Sequence, residues 1–123
     1  MVIRKGVPND QGRFTWETLA SSEPYPLSDT YFDHLYNGII VSLDGQWIYV
    51  NGGSRTDHGE VEDNAGAFPD TRDVALTARI LRIPTSANEL VLPNDEDALT
   101  AQGLILARGT RNAYDMALSL IHI

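Results

Sequence analysis

The stretch 38–53, GIIVSLDGQWIYVNGG, constrains this chain more than any other part of it. Two runs of apolar and β-branched residues, 39–43 and 46–50, flank Asp44-Gly45, a dipeptide that tolerates positive φ at both central positions of a tight turn. The pattern predicts a hairpin closed by a type I′ turn, whose twist matches that of the strands and so fixes their register. Ile39, Val41 and Leu43 then point to one face, Ile40 and Ser42 to the other, and Trp47 and Tyr49 alternate with Ile48 and Val50. Both faces carry apolar or aromatic groups, as they do for a strand pair inside a sandwich or barrel.

The flanking sequence extends that reading. Residues 1–12 hold Gly6, Pro8, Asn9, Asp10 and Gly12 and little that is apolar, which suggests an extended or disordered arm; a short edge strand at Val2 and Ile3 is the alternative. Residues 13–20, RFTWETLA, lean to a strand, because a capping box starting at Thr15 needs Glu or Gln at position 18 and finds Thr18. Pro24 and Pro26 bias the residues before them toward extended backbone, so 21–30 reads as a loop. Ser28 or Asp29 is placed to cap a short helix ended by Asn37-Gly38.

After the hairpin, the tract 54–73 has turn chemistry without a sustained period. A connection of this length without structure is unusual in a compact domain, and such loops tend to be functional or mobile. The remainder reads as two further hairpins, 74–83 with 89–92 and 99–107 with 116–123, the cluster Asn94 to Asp97 forming a turn. The sum is an all-β antiparallel sandwich or barrel of about six to eight strands with at most one short helix. An arm over 1–12 precedes a single domain over 13–123.

Composition narrows the function classes. A chain of 123 residues is one domain, and its 42% apolar content includes no run long enough for a membrane helix or a signal peptide. Neither a membrane nor export by that route is expected. Cysteine is absent, which removes disulfides, thiol nucleophiles and thiolate metal sites. With 17 acidic against 9 basic side chains, the net charge of −8 repels phosphate, so no nucleic-acid partner is expected. Lys5 is the only lysine; the arginines that supply the other positive charges suit protein interfaces, where a guanidinium engages a carboxylate through two donors.

Motifs for catalysis are weak. His34, His58 and His122 form no HxH or HxxxH pair. The acids between Asp57 and Asp63 offer oxygen ligands for calcium but lack the register of a twelve-residue calcium loop. The serines lack a GxSxG context, and Gly52-Gly53-Ser54 lacks the lysine of a phosphate loop. No enzyme, catalytic residue, cofactor or metal is therefore expected. Aromatic residues cluster in the first half, at Trp16, Tyr25, Tyr31, Tyr36, Trp47 and Tyr49, with Tyr114 apart. They suit a core, a subunit interface or, as an alternative, the surface of a sugar-binding sandwich.

The reading that joins these features is association. An arm, a long acidic loop and an apolar segment over 116–123 point to a structural protein that binds other protein subunits. A homo-oligomer is expected, with a trimer favoured, within a larger assembly such as a virion, where a small decoration or cement protein clamps capsid subunits. The location is then the virion or the cytoplasm. The expected contact residues are Val2, Ile3, Arg4, Val7, Phe14 and Trp16, and removal of 1–12 is expected to weaken attachment while leaving the domain folded. The alternatives are a carbohydrate-binding module and a small metal-dependent barrel enzyme built on the histidines.

Overall fold

The computed structural model describes residues 1–29 and 34–119. Its elements, in chain order, are β1 Val2–Pro8, β2 Phe14–Ser22, β3 Tyr36–Val41, β4 Trp47–Gly52, β5 Arg79–Pro84, β6 Leu90–Leu92, α1 Glu96–Ala101 and β7 Ile105–Arg108. They form two sheets, β1-β2-β6 and β3-β4-β5-β7. Ile3, Leu19, Ala20 and Leu92 of the first sheet join Ile48, Val50, Leu81 and Ile83 of the second in one buried cluster, completed by Leu76, Leu99 and Leu104. The fold is all-β, an open sandwich, and among the described residues the sheets do not close into a barrel.

The hairpin of β3 and β4 has the expected register, with Ile39 opposite Val50, Ile40 opposite Tyr49 and Val41 opposite Ile48. Its turn differs from type I′. Of the two turn residues only Gly45 has positive φ, at 70°, while the Asp44 carboxylate accepts hydrogen bonds from the Ser42 hydroxyl and from Gln46 N (3.0 Å). Gly45 N donates to Ser42 O at 2.9 Å, which starts the turn one residue earlier. Ile48 and Val50 face the core, while Trp47 lies outside beneath the Arg82 guanidinium, 4.6 Å from its ring centre.

The first residues belong to the sheet. All of β1 pairs antiparallel with β2, from Val2 opposite Ser21 to Pro8 opposite Phe14, with a bulge between Ile3 and Arg4. Ile3 is 7% exposed and packs in the core, and the terminal ammonium donates to Ser22 Oγ at 2.8 Å. The edge-strand alternative therefore describes this segment, and it extends well beyond Val2 and Ile3. Removing 1–12 would strip a strand and a core side chain, so the expectation of a folded truncated domain is withdrawn.

The second half departs most from the sequence pattern. The alternation seen over 74–83 is interrupted by a turn in which Thr77 N donates to Val74 O (3.0 Å) and Val74 N donates to Thr77 Oγ1 (2.9 Å). Ala78 follows at φ 55°, and this left-handed residue moves the buried set to Arg79, Leu81 and Ile83. β5 is flanked by β4 and β7, so no side is left for the segment at 90–92. That segment crosses to the other sheet as β6 and runs parallel to β2 at Ala20, Ser21 and Ser22. Thr85 N on Gln46 O (2.9 Å) and Glu89 N on Thr18 O (3.1 Å) anchor the crossing.

The helix lies at Glu96–Ala101, inside what reads as a turn followed by a strand. Asp95 caps it, its carboxylate accepting from Ala98 N at 2.7 Å, and Gly103 at φ 66° ends it. The helix suggested from Ser28 or Asp29 falls largely on 30–33, outside the described residues. Residues 116–119 belong to no strand, and 120–123, the rest of the last expected strand, lie outside the described residues.

Candidate functional site

Two regions carry exposed chemistry, and each follows from how its strands are supported. The first is the outer half of the hairpin formed by β1 and β2. β6 supports β2 only at Ala20–Ser22, so the part from Arg4 to Pro8 and from Phe14 to Thr18 is, among the described residues, a two-stranded ribbon with no third strand. A ribbon of this kind is marginally stable in isolation. Asn9 tightens its tip: the Oδ1 accepts from Gln11 N (3.0 Å) and Arg13 N (2.9 Å), while Asn9 N donates to Arg13 O (2.8 Å).

One face of the ribbon is aromatic. Phe14 and Trp16 alternate on β2 with ring centres 6.2 Å apart, and they stand opposite Pro8 and Gly6. Glycine at position 6 admits the rings, since a Cβ there would lie 3.2 Å from Phe14 Cδ1 and 3.3 Å from the Trp16 ring. Phe14 is 60% exposed and Trp16 63%. Arg4 shares this face, and Val7, half-buried opposite Thr15, lies on the other. Of the six expected contact residues, Val2, Arg4, Phe14 and Trp16 are exposed, Val7 is partly so, and Ile3 is committed to the core.

The remaining aromatics are placed differently. Tyr25 and Tyr36 meet edge to face, 6.4 Å between ring centres, and Tyr36 donates to Leu76 O at 2.8 Å. Burial, followed by the nearby Tyr25, pushes the Tyr36 hydroxyl well above its ordinary pKa, so this ring is a structural group. Tyr114 is exposed, and Tyr31 lies outside the described residues.

The second region is a polar cleft of about 340 Å³ lined by Ser54, Asp57, His58, Arg72, Asp73, Thr110 and Arg111. Asp57 is its centre. His34 Nε2 lies 2.8 Å from Asp57 Oδ1, and Arg111 Nη2 donates to the same oxygen at 2.6 Å. Arg111 Nε donates to the Asp57 carbonyl at 2.7 Å, and His58 Nδ1 is 3.2 Å from Oδ2. His34 and His58, too far apart in sequence to suggest a pair, are thus brought to one carboxylate. Gly53 makes room for His34, because a Cβ there would stand 2.4 Å from the His34 Cβ. Hydrogen bonds from the Glu60 and His58 backbone hold the Glu60 carboxylate below its ordinary pKa.

The acids considered for calcium point to different places. Asp57 is engaged by Arg111 and the histidines, Asp63 accepts from Ala65 N (3.1 Å), and Glu62 turns inward to Arg55 (3.3 Å), Ser28 Oγ (2.9 Å) and Asp29 N (2.9 Å). Among the described residues no group of three or more His, Cys, Asp or Glu side chains is disposed to hold a metal ion. Nor is any helix there long and apolar enough to cross a membrane. His122 lies outside the described residues.

The signal that sequence reasoning passed over is Arg55. It is 2% exposed and donates to the carbonyls of Thr71 (2.9 Å) and Arg72 (3.4 Å), to Glu62 and to Asn64 Oδ1. The acidic tract is folded around this one cation. The chain matches no protein-family model, no curated protein and no solved structure.

Proposed function

We propose that this protein is a non-enzymatic assembly component that attaches to a larger protein shell through the β1–β2 hairpin, as a small decoration or cement protein does on a virion capsid. The observation that carries the reading is the exposed Phe14–Trp16 pair on a ribbon that has no third strand among the described residues. Large aromatics in water are costly for the free protein and are the residues that anchor protein interfaces. The ribbon gains its missing packing when a partner surface covers that face. The strongly acidic body favours a partner whose contact surface is basic, and Arg4 beside the aromatic pair offers a donor to a carboxylate at the same contact. Homo-oligomers, with a trimer favoured, would present several hairpins at once, and linked contacts of modest strength add up to firm attachment.

The test is co-sedimentation of the purified protein with empty virus capsids from the same source, comparing the wild type with a Phe14→Ala, Trp16→Ala double variant. The wild type is expected to bind at saturating stoichiometry and the double variant to stay in the supernatant with an unchanged melting temperature. Absence of saturable wild-type binding rejects the capsid role, and equal binding by the variant rejects the hairpin as the contact.

A further inference from the structure

We propose that the cleft around Asp57 binds a free α-amino acid in its zwitterionic form. The inference goes beyond the assembly reading and does not rest on it, since the cleft shares no residue with the β1–β2 hairpin.

The cleft of about 340 Å³ falls at the small end of ligand pockets, which span roughly 300 to 1,000 Å³. Backbone hydrogen bonds join its walls: Ser54 N donates to Arg111 O (2.7 Å), and Gly109 N and Thr110 N both donate to Ala78 O (2.8 and 3.2 Å). The shape is therefore set before a ligand arrives, which lowers the ordering cost of binding.

Two charged groups in it are fixed in place but unused. The Arg72 guanidinium makes no hydrogen bond among the described residues, and its ion-pair partner, Asp73 Oδ2, stands 3.9 Å from Nε. Packing holds it all the same. A Cβ on Gly59 would lie 2.9 Å from Arg72 Cζ and 3.0 Å from both Nε and Nη2, so the flat face of the guanidinium rests on that glycine, whose φ of 82° is left-handed. The donors along the edge of the plane remain for a carboxylate, which an arginine engages through two parallel hydrogen bonds. Asp73 is fixed through its other oxygen. Oδ1 accepts from Arg55 N (2.8 Å) and Thr77 Oγ1 (3.1 Å), while Oδ2 accepts no hydrogen bond among the described residues.

A guanidinium and a carboxylate oxygen, side by side but too far apart to bond each other, complement a ligand that carries both signs a few bonds apart. An α-amino acid does so: its carboxylate meets Arg72 and its ammonium meets Asp73 Oδ2. Arg111 adds a donor, because it uses Nε and Nη2 on Asp57 (2.7 and 2.6 Å) and keeps Nη1. Thr110 Oγ1 spends its proton on Gly52 O (3.0 Å), so its lone pairs are left to accept from the ammonium or from a polar side chain. Asp57 stays out of this recognition, since His34, His58 and Arg111 occupy both its oxygens. The charge of the whole chain favours the same class of ligand: at −8 it repels a free anion at long range, whereas a zwitterion of no net charge approaches unopposed.

The experiment is an amide NMR titration of the full chain with L-serine, L-asparagine and L-glutamine, followed by the N-acetyl and carboxamide derivatives of whichever binds tightest. Saturable shifts are expected at Gly59, Arg72, Asp73 and Thr110. Each derivative removes one of the two charges and is expected to bind about tenfold more weakly or worse. Arg72→Gln is expected to weaken binding by a similar factor with an unchanged melting temperature, because the replaced guanidinium carries no hydrogen bond in the fold. Inorganic phosphate, a probe for plain anion capture, is expected to bind more weakly than the amino acid. The proposal is overturned by the absence of a saturable shift with all three amino acids, by equal binding of either derivative, by phosphate binding as tightly as the amino acid, or by an Arg72→Gln variant that binds like the wild type.

Discussion

The hairpin of β1 and β2 and the tract 54–73 are opposites. The hairpin is regular in backbone and open in packing: from Phe14 to Glu17 every side chain is exposed, and on the facing strand Pro8, Lys5 and the neighbouring Arg4 are exposed as well. The tract contains no strand or helix, only a single bridge between Glu62 and Thr71, yet Ser54, Arg55 and Thr56 are fully buried at its start. Its fixed points are side chains. Arg55 is shared among the side chains of Glu62 and Asn64 and the carbonyls of Glu62, Thr71 and Arg72, Asp73 accepts from Arg55 N (2.8 Å), and Glu62 reaches across to Ser28 and Asp29. Regular secondary structure is thus no measure of how firmly a segment is held, and an irregular polar segment can be organised by one buried cation whose hydrogen bonds are nearly all satisfied.

The contrast breaks most visibly at Arg55. Replacing it with Met removes the cation from a buried pair and orphans the carbonyls it serves, so unfolding by urea is expected to show a loss of about 3–5 kcal/mol. A loss below about 1 kcal/mol would mean that the tract does not depend on its arginine. Glu96 comes next. It joins the buried Arg79 to Arg108 Nε (2.8 Å) and ties α1 to β5 and β7. The Glu96→Gln variant is expected to lose about 1–2 kcal/mol at neutral pH, discounted because Glu96 is half exposed.

The same residue makes a pH prediction. Burial raises the pKa of Glu96, but the hydrogen bonds and charges of Arg108 and Arg79 outweigh it and hold the folded carboxyl below its ordinary 4.5. The unfolded chain then binds the proton first as pH falls. The stabilisation is present above about pH 4.5 and is lost as pH drops through the lower folded value. Denaturation curves from pH 7 to pH 3 should show wild type converging on Glu96→Gln at the acid end, and parallel curves would contradict the assignment.

Smaller effects sharpen the comparison. Asp95→Ala removes the helix cap and is expected to cost about 1 kcal/mol. Trp16→Ala, on the open hairpin, is expected to change stability by no more than about 0.5 kcal/mol. A much larger loss at Trp16 would show that the ribbon depends on its aromatic face for folding and weaken its standing as a free contact surface.

What could be read from sequence follows the range of the interactions involved. The β3–β4 hairpin was legible, because Asp44-Gly45 and the alternation around it are local. So was the all-β class. The helix was legible in principle: Pro93, the capping Asp95, acids at 96 and 97 and Gly103 form a start and a stop, but the apolar run after them imitates a strand. The transfer of 90–92 to the other sheet was not legible, since it depends on both sides of β5 being occupied by strands distant in sequence. Nor was the role of Arg55, whose side-chain partners lie 7 to 17 residues away in a tract that reads as solvated. For the site, exposure of Phe14 and Trp16 required knowing that β6 stops short of them, and the meeting of His34, His58 and Arg111 on Asp57 needed the fold itself.

Native-state amide exchange, resolved by residue, tests the central contrast most directly. The account predicts slow exchange at Arg55 N and Glu62 N, which donate to Asp73 Oδ1 and Thr71 O, and fast exchange at Val7, Thr15 and Trp16 in the unsupported ribbon. Fast exchange at Arg55 and Glu62 together with a protected ribbon would contradict it.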